Sequence, residues 1–428
     1  MIIVDKALER RQQDNNPIRI GMVGAGYMGQ GMAAAIERNY VGMRVVAIAN
    51  RTLETAEQAF LDAGVDGVSR ADDQAALDRV MDRGGRAVTS DPLLLCRTPG
   101  IEAIIECTGE VEHGARVATE AIANGKHVLL VNAELDATVG PILKVLADRA
   151  GVVITNADGD EPSVAMNMFR FVKAIGYRPV LAGNVKGFLD HQRNPDTQKG
   201  FADAHGQRPF MVTSFADGTK LSLEATTLAN ATGFKVSQPG MEGRRLSHVR
   251  DLLDLYDPKE LLDQPIVEYV LGAEPGSGAF VVGYNDDPQL MPCMSYFKMG
   301  DGPLYMFYRP FHLTHLEAPL SVARAVLFGD AAIAPAGAPV CEVGTIAKRD
   351  LEAGEELDGI GGYTCYGLID NVENARRDDA LPIGLAAGTR LTRPVAKDQP
   401  IRNADVTLPP GRLIDQLRAQ QDAHFGLS

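Results

Sequence analysis

The chain has 428 residues, 45% hydrophobic and 23% charged, which is the composition of a globular protein with room for two or three domains. Lys and Arg number 42 against 56 Asp and Glu, and the formal net charge of −14 excludes a polyanionic partner such as nucleic acid while allowing a local cationic pocket for a small phosphate. The five scattered cysteines lack any C-x-x-C pair, which argues against a disulfide framework and a structural zinc site. With no apolar stretch long enough for a secretory signal or a membrane helix, a cytoplasmic location is expected.

In chain order, residues 1–16 read as a short amphipathic arm. From Pro17 the pattern becomes strand–helix–strand. Ile18–Val23 is an apolar run, followed by a Gly-rich turn and the helical Met32–Ile36, and Val45–Ala49 is a second strand candidate. The alternation recurs with a strand at 101–107, a helix at 113–124, a strand at 127–131, a helix at 138–150 and a strand at 152–154. Continuous apolar strands separated by helices predict a parallel sheet covered on both faces, a Rossmann domain over 17–160. Past Asp158 the rhythm breaks. A helix at 164–173, a strand-like run at 180–185 and segments of mixed pattern predict an α+β domain over 161–335. Its helix at 316–327 is expected to pack back on the nucleotide domain. A Pro- and Ala-rich linker at 335–339 precedes short β-rich pieces with glycine turns, and residues 336–428 read as a small β-rich module.

Gly24-Ala25-Gly26-Tyr27-Met28-Gly29 is a G-x-G-x-x-G string that follows a predicted strand directly and opens a predicted helix. In that context the first glycine permits the tight turn, the second admits a pyrophosphate, and the third allows close helix–strand packing. The helix N-terminus then offers N–H groups to the anion. The alternative is an ordinary Gly-rich βα turn. NAD sites place an acidic residue at the end of the second strand; here Asn50 stands there, followed by Arg51 and Thr52. A neutral side chain beside an Arg suits a 2′-phosphate, so NADP is the expected cofactor, unless Arg51 is only a solvated loop cation. Cys107-Thr108-Gly109 ends another strand on the same edge and is expected to line the nicotinamide pocket, as is Asn132. Cys107 reads as a small, inert buried thiol before a nucleophile, since no partner His is placed beside it.

Reduction of a carbonyl needs a group that polarises the oxygen and an acid that protonates it. Lys186, at the end of a strand-like run among Gly, Asn and Asp, is the candidate polariser, with Asp190, Asp160 and Glu161 as further catalytic candidates. Desolvation would lower the pKa of such a Lys. Asp158, Asp160 and Glu161 either orient that Lys, hold a hard divalent cation, or simply favour the start of the following helix. Arg193, Arg309 and His312 are candidates for an anionic substrate group, with an exposed helix start as the duller reading of the last two.

At these residues the chain resembles the homoserine dehydrogenase-like superfamily, and most closely its branch with a C-terminal SAF (β-clip) module that includes deoxyxylulose phosphate reductoisomerase-like enzymes. The stretches that carry the resemblance are Gly24–Gly29 with Asn50-Arg51, Cys107-Thr108-Gly109, Gly125–Val128, Asp158–Pro162 and Gly183–Gly187. To these are added Ala347–Leu351 and Leu381–Leu385 in the module. The resemblance implies an NADP-linked oxidoreductase acting on a small molecule, and a homodimer formed through the middle domain. Homoserine dehydrogenases carry a Lys after the corresponding strand. Val131-Asn132-Ala133-Glu134 departs from this with Glu134, which becomes a substrate-binding candidate and turns the resemblance toward the reductoisomerase-like branch. That branch implies 1-deoxy-D-xylulose 5-phosphate as substrate, a place in isoprenoid biosynthesis, and a divalent cation (Mg or Mn) for which Asp158, Asp160 and Glu161 are the candidate ligands. Metal-independent oxidation of an alcohol or semialdehyde, and a non-catalytic nucleotide sensor, remain as alternatives.

Overall fold

The computed structural model describes residues 4–427 and divides into two compact units. Unit 1 comprises residues 1–160, 313–334 and 412–424; unit 2 comprises 161–312, 335–411 and 425–428.

Unit 1 opens with α1 (Val4–Gln13) and alternates β1 (Ile18–Val23), α2 (Tyr27–Asn39), β2 (Met43–Ala49) and α3 (Leu53–Asp62). It continues with β3 (Ser69–Arg70), α4 (Gln74–Asp82), β4 (Ala87–Thr89), α5 (Pro92–Arg97) and β5 (Ala103–Glu106). Then come α6 (Val111–Ala123), β6 (His127–Leu130), α7 (Ala133–Ala150) and β7 (Ile154–Asn156). The seven strands form one parallel sheet in the order β3-β4-β2-β1-β5-β6-β7. The order reverses direction at β1, so the carboxyl end of β1 lies at the switch point where open α/β sheets bind ligands. Ile18, Ile20 and Met22 of β1 and Val45 and Ile48 of β2 are fully buried, which is why these strands read as continuous apolar runs. The later helix Thr314–Phe328 packs through Ala318, Val322 and Ala323 into the core that holds Met32 and Ile36 of α2.

Unit 2 begins with α8 (Glu161–Ala174) and β8 (Arg178–Lys186), followed by α9 (Pro195–Ala204), α10 (Pro209–Ala216) and α11 (Thr219–Thr232). With β9 (Arg244–Arg245), β10 (Ile266–Leu271), β11 (Ala279–Tyr284) and β12 (Leu304–Arg309) it forms a five-stranded sheet in the order β12-β11-β8-β10-β9. β8 is central, parallel to β10 and antiparallel to β11, and α8 and α11 lie against it. Residues 335–411, the bulk of the expected C-terminal module, share this unit. Their main feature is the antiparallel pair β13 (Cys341–Ala347) and β14 (Cys365–Asn371), with Pro400–Ile401 beside β13. Among the described residues no helix is long and apolar enough to cross a membrane.

Candidate functional site

The glycine string sits where β1 turns into α2. Gly24 has φ +105°, and a Cβ there would press on the Cys107 backbone. A Cβ on Gly29 would meet the Gly24 carbonyl oxygen at 2.3 Å, so the third glycine is required by helix–strand packing. Nothing lies within 4 Å of where a Gly26 Cβ would be, and Gly26 caps α2 with no side chain taking up the first N–H groups. An open cradle in front of unpaired helix N–H donors suits a pyrophosphate, and the residues fit a dinucleotide. Tyr27 is exposed and meets the His315 ring edge-on at 5.0 Å, while Met28 is half-buried against the core.

Asn50 spends its side chain on this loop: its Oδ1 accepts from the Ala25 N–H at 3.2 Å and its Nδ2 donates to the Thr52 carbonyl at 2.7 Å. Arg51 and Thr52 are exposed beside it. The Cys107 thiol donates to the Val23 and Gly24 carbonyls, each at 3.2 Å. Burial, helped by the Glu106 charge, pushes that thiol well above its ordinary range, so Cys107 is a latch on the turn held in its protonated form.

Glu106 is a functional candidate that the sequence reading passed over. It ends β5 fully buried, accepts from the Thr108 N–H at 2.9 Å and the Thr108 hydroxyl, and accepts from Asn132 Nδ2 at 2.7 Å. Asn132 in turn caps α7 through the Leu135 N–H. Burial outweighs these donors and lifts the carboxyl to about 7. The only signal in the sequence is one acidic residue closing an apolar parallel strand. Gly109 follows at φ +71°, and Glu134 is buried in the first turn of α7.

In unit 2, β8 delivers Lys186 to the end of the central strand. Its Nζ donates to Glu161 Oε1 at 2.6 Å, at the first residue of α8, and to Glu224 Oε2 at 3.3 Å, in the second turn of α11. His312 Nε2 lies 3.6 Å from the same Glu161 oxygen. Glu161 and Glu224 are buried, whereas Lys186 keeps about a fifth of its side chain exposed. A small cavity beside them is lined by Glu161, Pro162, Asn184, Glu224, Leu228 and Val267.

Burial alone would lower the Lys186 pKa, as expected from the sequence, but the two carboxylates outweigh it and hold the ammonium above its ordinary range. Burial likewise opposes ionisation of Glu161, yet Lys186 and His312 keep it below the usual carboxylate range. Glu224 moves the other way: burial and the Glu161 charge push it up. The arrangement is therefore a fixed ammonium between one carboxyl drawn below the ordinary carboxylate range and one pushed above it. Glu224 escaped the sequence reading because it lies 38 residues from Lys186, and only the pairing of α11 with β8 shows it.

The remaining candidates, Asp160 excepted, are placed apart from this cluster. Asp190 pairs with Arg193 at 3.0 Å on the loop after β8, and Arg193 also lies over the Phe188 ring. Arg309 closes β12 with its guanidinium over Phe311. Asp158 is buried in unit 1 and paired with Arg324 at 3.2 Å, and Asp160 is half-buried at the end of that unit's first segment. Asp158 is taken up by Arg324, whereas Asp160, Glu161 and Glu224 bring carboxylate oxygens within 4.8 Å of one another; the Lys186 ammonium already binds two of the three, and no step is routed through a cation.

Comparison with known proteins adds two partial family matches. Residues 159–318 match the model described as the catalytic domain of the oxidoreductase DRL, and residues 18–130 match that of the GFO/IDH/MocA oxidoreductase family, NAD-binding Rossmann fold. A homoserine dehydrogenase of Pseudomonas aeruginosa is 27% identical over 138 residues, 32% of this chain and 28% of that protein. An inositol 2-dehydrogenase of Saccharopolyspora erythraea is 34% identical over 129 residues, covering 27% of this chain and 36% of that one. The chain thus spans about a third of the length of these curated relatives. Among solved structures, a probable dehydrogenase from Thermotoga maritima superposes with a TM-score of 0.43 at 13% identity, over 74% of this chain and 90% of that one. A scyllo-inositol dehydrogenase from Lactobacillus casei, solved with NAD(H) and scyllo-inositol, gives 0.37 at 13% identity, over 62% and 73%. Over residues 159–318 the chain is thus similar to the catalytic domain of the oxidoreductase DRL, and over residues 18–130 to the NAD-binding Rossmann domain of the GFO/IDH/MocA oxidoreductases.

Proposed function

We propose that the protein is an NADPH-dependent oxidoreductase that reduces the carbonyl of a small keto or hydroxy substrate, with Lys186 as the group that polarises the oxygen. The observation that carries this reading is the buried Lys186–Glu161–Glu224 cluster. An ammonium has three donors, and two are spent on the carboxylates, which leaves one direction for a substrate oxygen. The nicotinamide supplies the hydride. As charge builds on the oxygen, the Lys186 ammonium stabilises it, and Glu161 keeps that ammonium charged and oriented. Glu224, hydrogen-bonded to the same ammonium and with its carboxyl pushed up by burial and the Glu161 charge, is the candidate for passing on the proton that completes the alcohol. Because Lys186 stays charged throughout the neutral range, it acts as an electrophile and not as a neutral base or Schiff-base amine.

NADP is favoured over NAD because Asn50 is committed to the glycine loop and supplies no carboxylate for a ribose 2′-hydroxyl, while Arg51 is exposed next to it. A metal-independent reaction is favoured over reductoisomerisation, since Lys186 holds the Glu161 carboxylate that the metal reading needs. A homodimer through residues 161–335 belongs to the same reading and is checked by light scattering.

The test is a panel of 1-deoxy-D-xylulose 5-phosphate, other keto and hydroxy acids and sugar phosphates, and semialdehydes, with NADPH, with and without EDTA. Turnover that survives EDTA and falls at least about a hundredfold in Lys186→Met, with NADPH affinity unchanged, is the expected result. Near-normal turnover by Lys186→Met removes it from the mechanism. Tight NADPH binding with no turnover anywhere on the panel overturns the enzymatic reading in favour of a sensor.

A further inference from the structure

We propose that Lys348, from the β-rich module of residues 336–411, is a positioning residue that sets the place of Lys186 and Glu224; this rests on the reading of that pair given above. Lys348 follows β13 by one residue, and its side chain is only 3% exposed. Its ammonium donates to the carbonyl oxygen of Arg193 at 2.8 Å and of Gly362 at 2.7 Å, and lies 2.8 Å from Asp217 Oδ2. Two carbonyls take up two of its donors and the Asp217 carboxylate faces it as an ion pair, which leaves the buried ammonium little freedom.

Two of those partners lead to the site. Arg193 ends the loop that leaves Lys186, and the middle of that loop is pinned by the Asp190 N–H on the Ala216 carbonyl at 2.8 Å. Asp217 accepts the Thr219 N–H at 2.8 Å through its other oxygen, which fixes the first turn of α11, the helix that carries Glu224 five residues later. Gly218 between them has φ +87°, and a Cβ there would stand 3.2 Å from the His191 ring.

The module holds the same two segments a second time. Tyr366 of β14, opposite Ile346 of β13, stacks on His191 at 4.5 Å, and the His191 Nδ1 meets the Asp217 carbonyl at 2.7 Å. The Gly367 N–H donates to the Thr219 hydroxyl at 2.9 Å. One end of the β13–β14 pair therefore grips both the loop after Lys186 and the cap of the Glu224 helix. A site of this kind holds its reacting groups only as well as the shell behind them is held. This gives the module a task in the reaction without contact to substrate.

The test reads Lys186 directly in the native full-length protein by competitive acetylation at pH 9, quantified by mass spectrometry against exposed Lys259. Lys348→Met combined with Asp217→Asn removes both buried charges together, and the new Asn keeps an acceptor for the Thr219 N–H. The expected result is Lys186 acetylated at least about tenfold faster than in the wild type, equivalent to roughly one pH unit of lost proton affinity, with Lys259 unchanged. Tyr366→Leu, which leaves the charges paired, is expected to move Lys186 in the same direction and decides the matter if the double variant does not fold. An unchanged Lys186 rate in the folded variants overturns the proposal. Lys186→Met that retains turnover would instead sink the catalytic reading, and the acetylation result would still report whether Lys348 holds Lys186.

Discussion

Glu106 shows what one carboxyl at the carboxyl edge of a parallel sheet does to the pH behaviour of a domain. Burial raises it from an ordinary 4.5 to about 7 against the pull of Thr108 and Asn132, with Glu134 adding further unfavourable charge. The folded state thus binds this proton more tightly than the unfolded chain. The stabilisation is fully present below about pH 4.5 and is lost as pH rises through about 7, a swing of about 3 kcal/mol. Glu106→Gln, which keeps the shape and removes the titration, should flatten the thermal midpoint between about pH 5 and 8; a variant profile as steep as the wild type would assign the slope to other groups. The sequence shows the residue but not its state, because the same Glu at the end of an exposed strand would titrate normally. For Lys186 the sequence reading even carries the wrong sign: desolvation is visible in an apolar strand, whereas the opposing carboxylates of Glu161 and Glu224 come from two helices that only the fold brings in.

At the scale of elements, α7 is the instructive case. It contains Pro141, and Val139 leaves the helical region with φ −141° and ψ 15°. The bond that would join the Ile142 N–H to the Thr138 carbonyl is opened, and both halves are taken up by the helix Leu413–Phe425. Gln421 Oε1 accepts from the Ile142 N–H at 3.2 Å, and Arg418 Nη1 donates to the Thr138 carbonyl at 3.2 Å. Glu112 holds that helix at its start by accepting from the Leu413 and Ile414 N–H groups. Gln421→Ala strands the buried Ile142 N–H and should cost about 1–3 kcal/mol in denaturant unfolding, whereas a loss below about 0.5 kcal/mol would mean the kink closes on itself. The same element marks where sequence patterns stop being informative. Strands β1 and β2 and the helix at 314–328 are legible because burial on one or both faces writes an apolar run or a helical stripe. The first turn of α7 was not foreseen, since Glu134 and Asp136 look like loop residues yet are buried. Strand β7 was expected two residues early, because Thr155 and Asn156 are polar and are satisfied by tertiary bonds, Thr155 with the backbone of Ala332 and Ile333. The short strands β3 and β4 offer too few residues for a period.

For the whole molecule, the nucleotide cradle and the Lys186 cluster belong to different units, each with its own core. Arg51 sits beside the glycine loop in the first, and Lys186 closes the central strand of the second. Because each place is held by the core of its own unit, the energetic effects of substitutions in the two places should add. Arg51→Ala is expected to weaken NADPH about tenfold while leaving NADH nearly unchanged, because an exposed guanidinium beside a 2′-phosphate is worth a charge-assisted hydrogen bond and no more. Lys186→Met should leave both affinities alone and abolish hydride transfer. The double variant then shows the product of the two effects within a factor of about two. Fluorescence titration of both reduced nucleotides with the two single variants and the double variant measures this. Equal losses for NADH and NADPH in Arg51→Ala would mean that Arg51 contacts the pyrophosphate or nothing at all, and the choice of cofactor would have to be sought elsewhere on the loop.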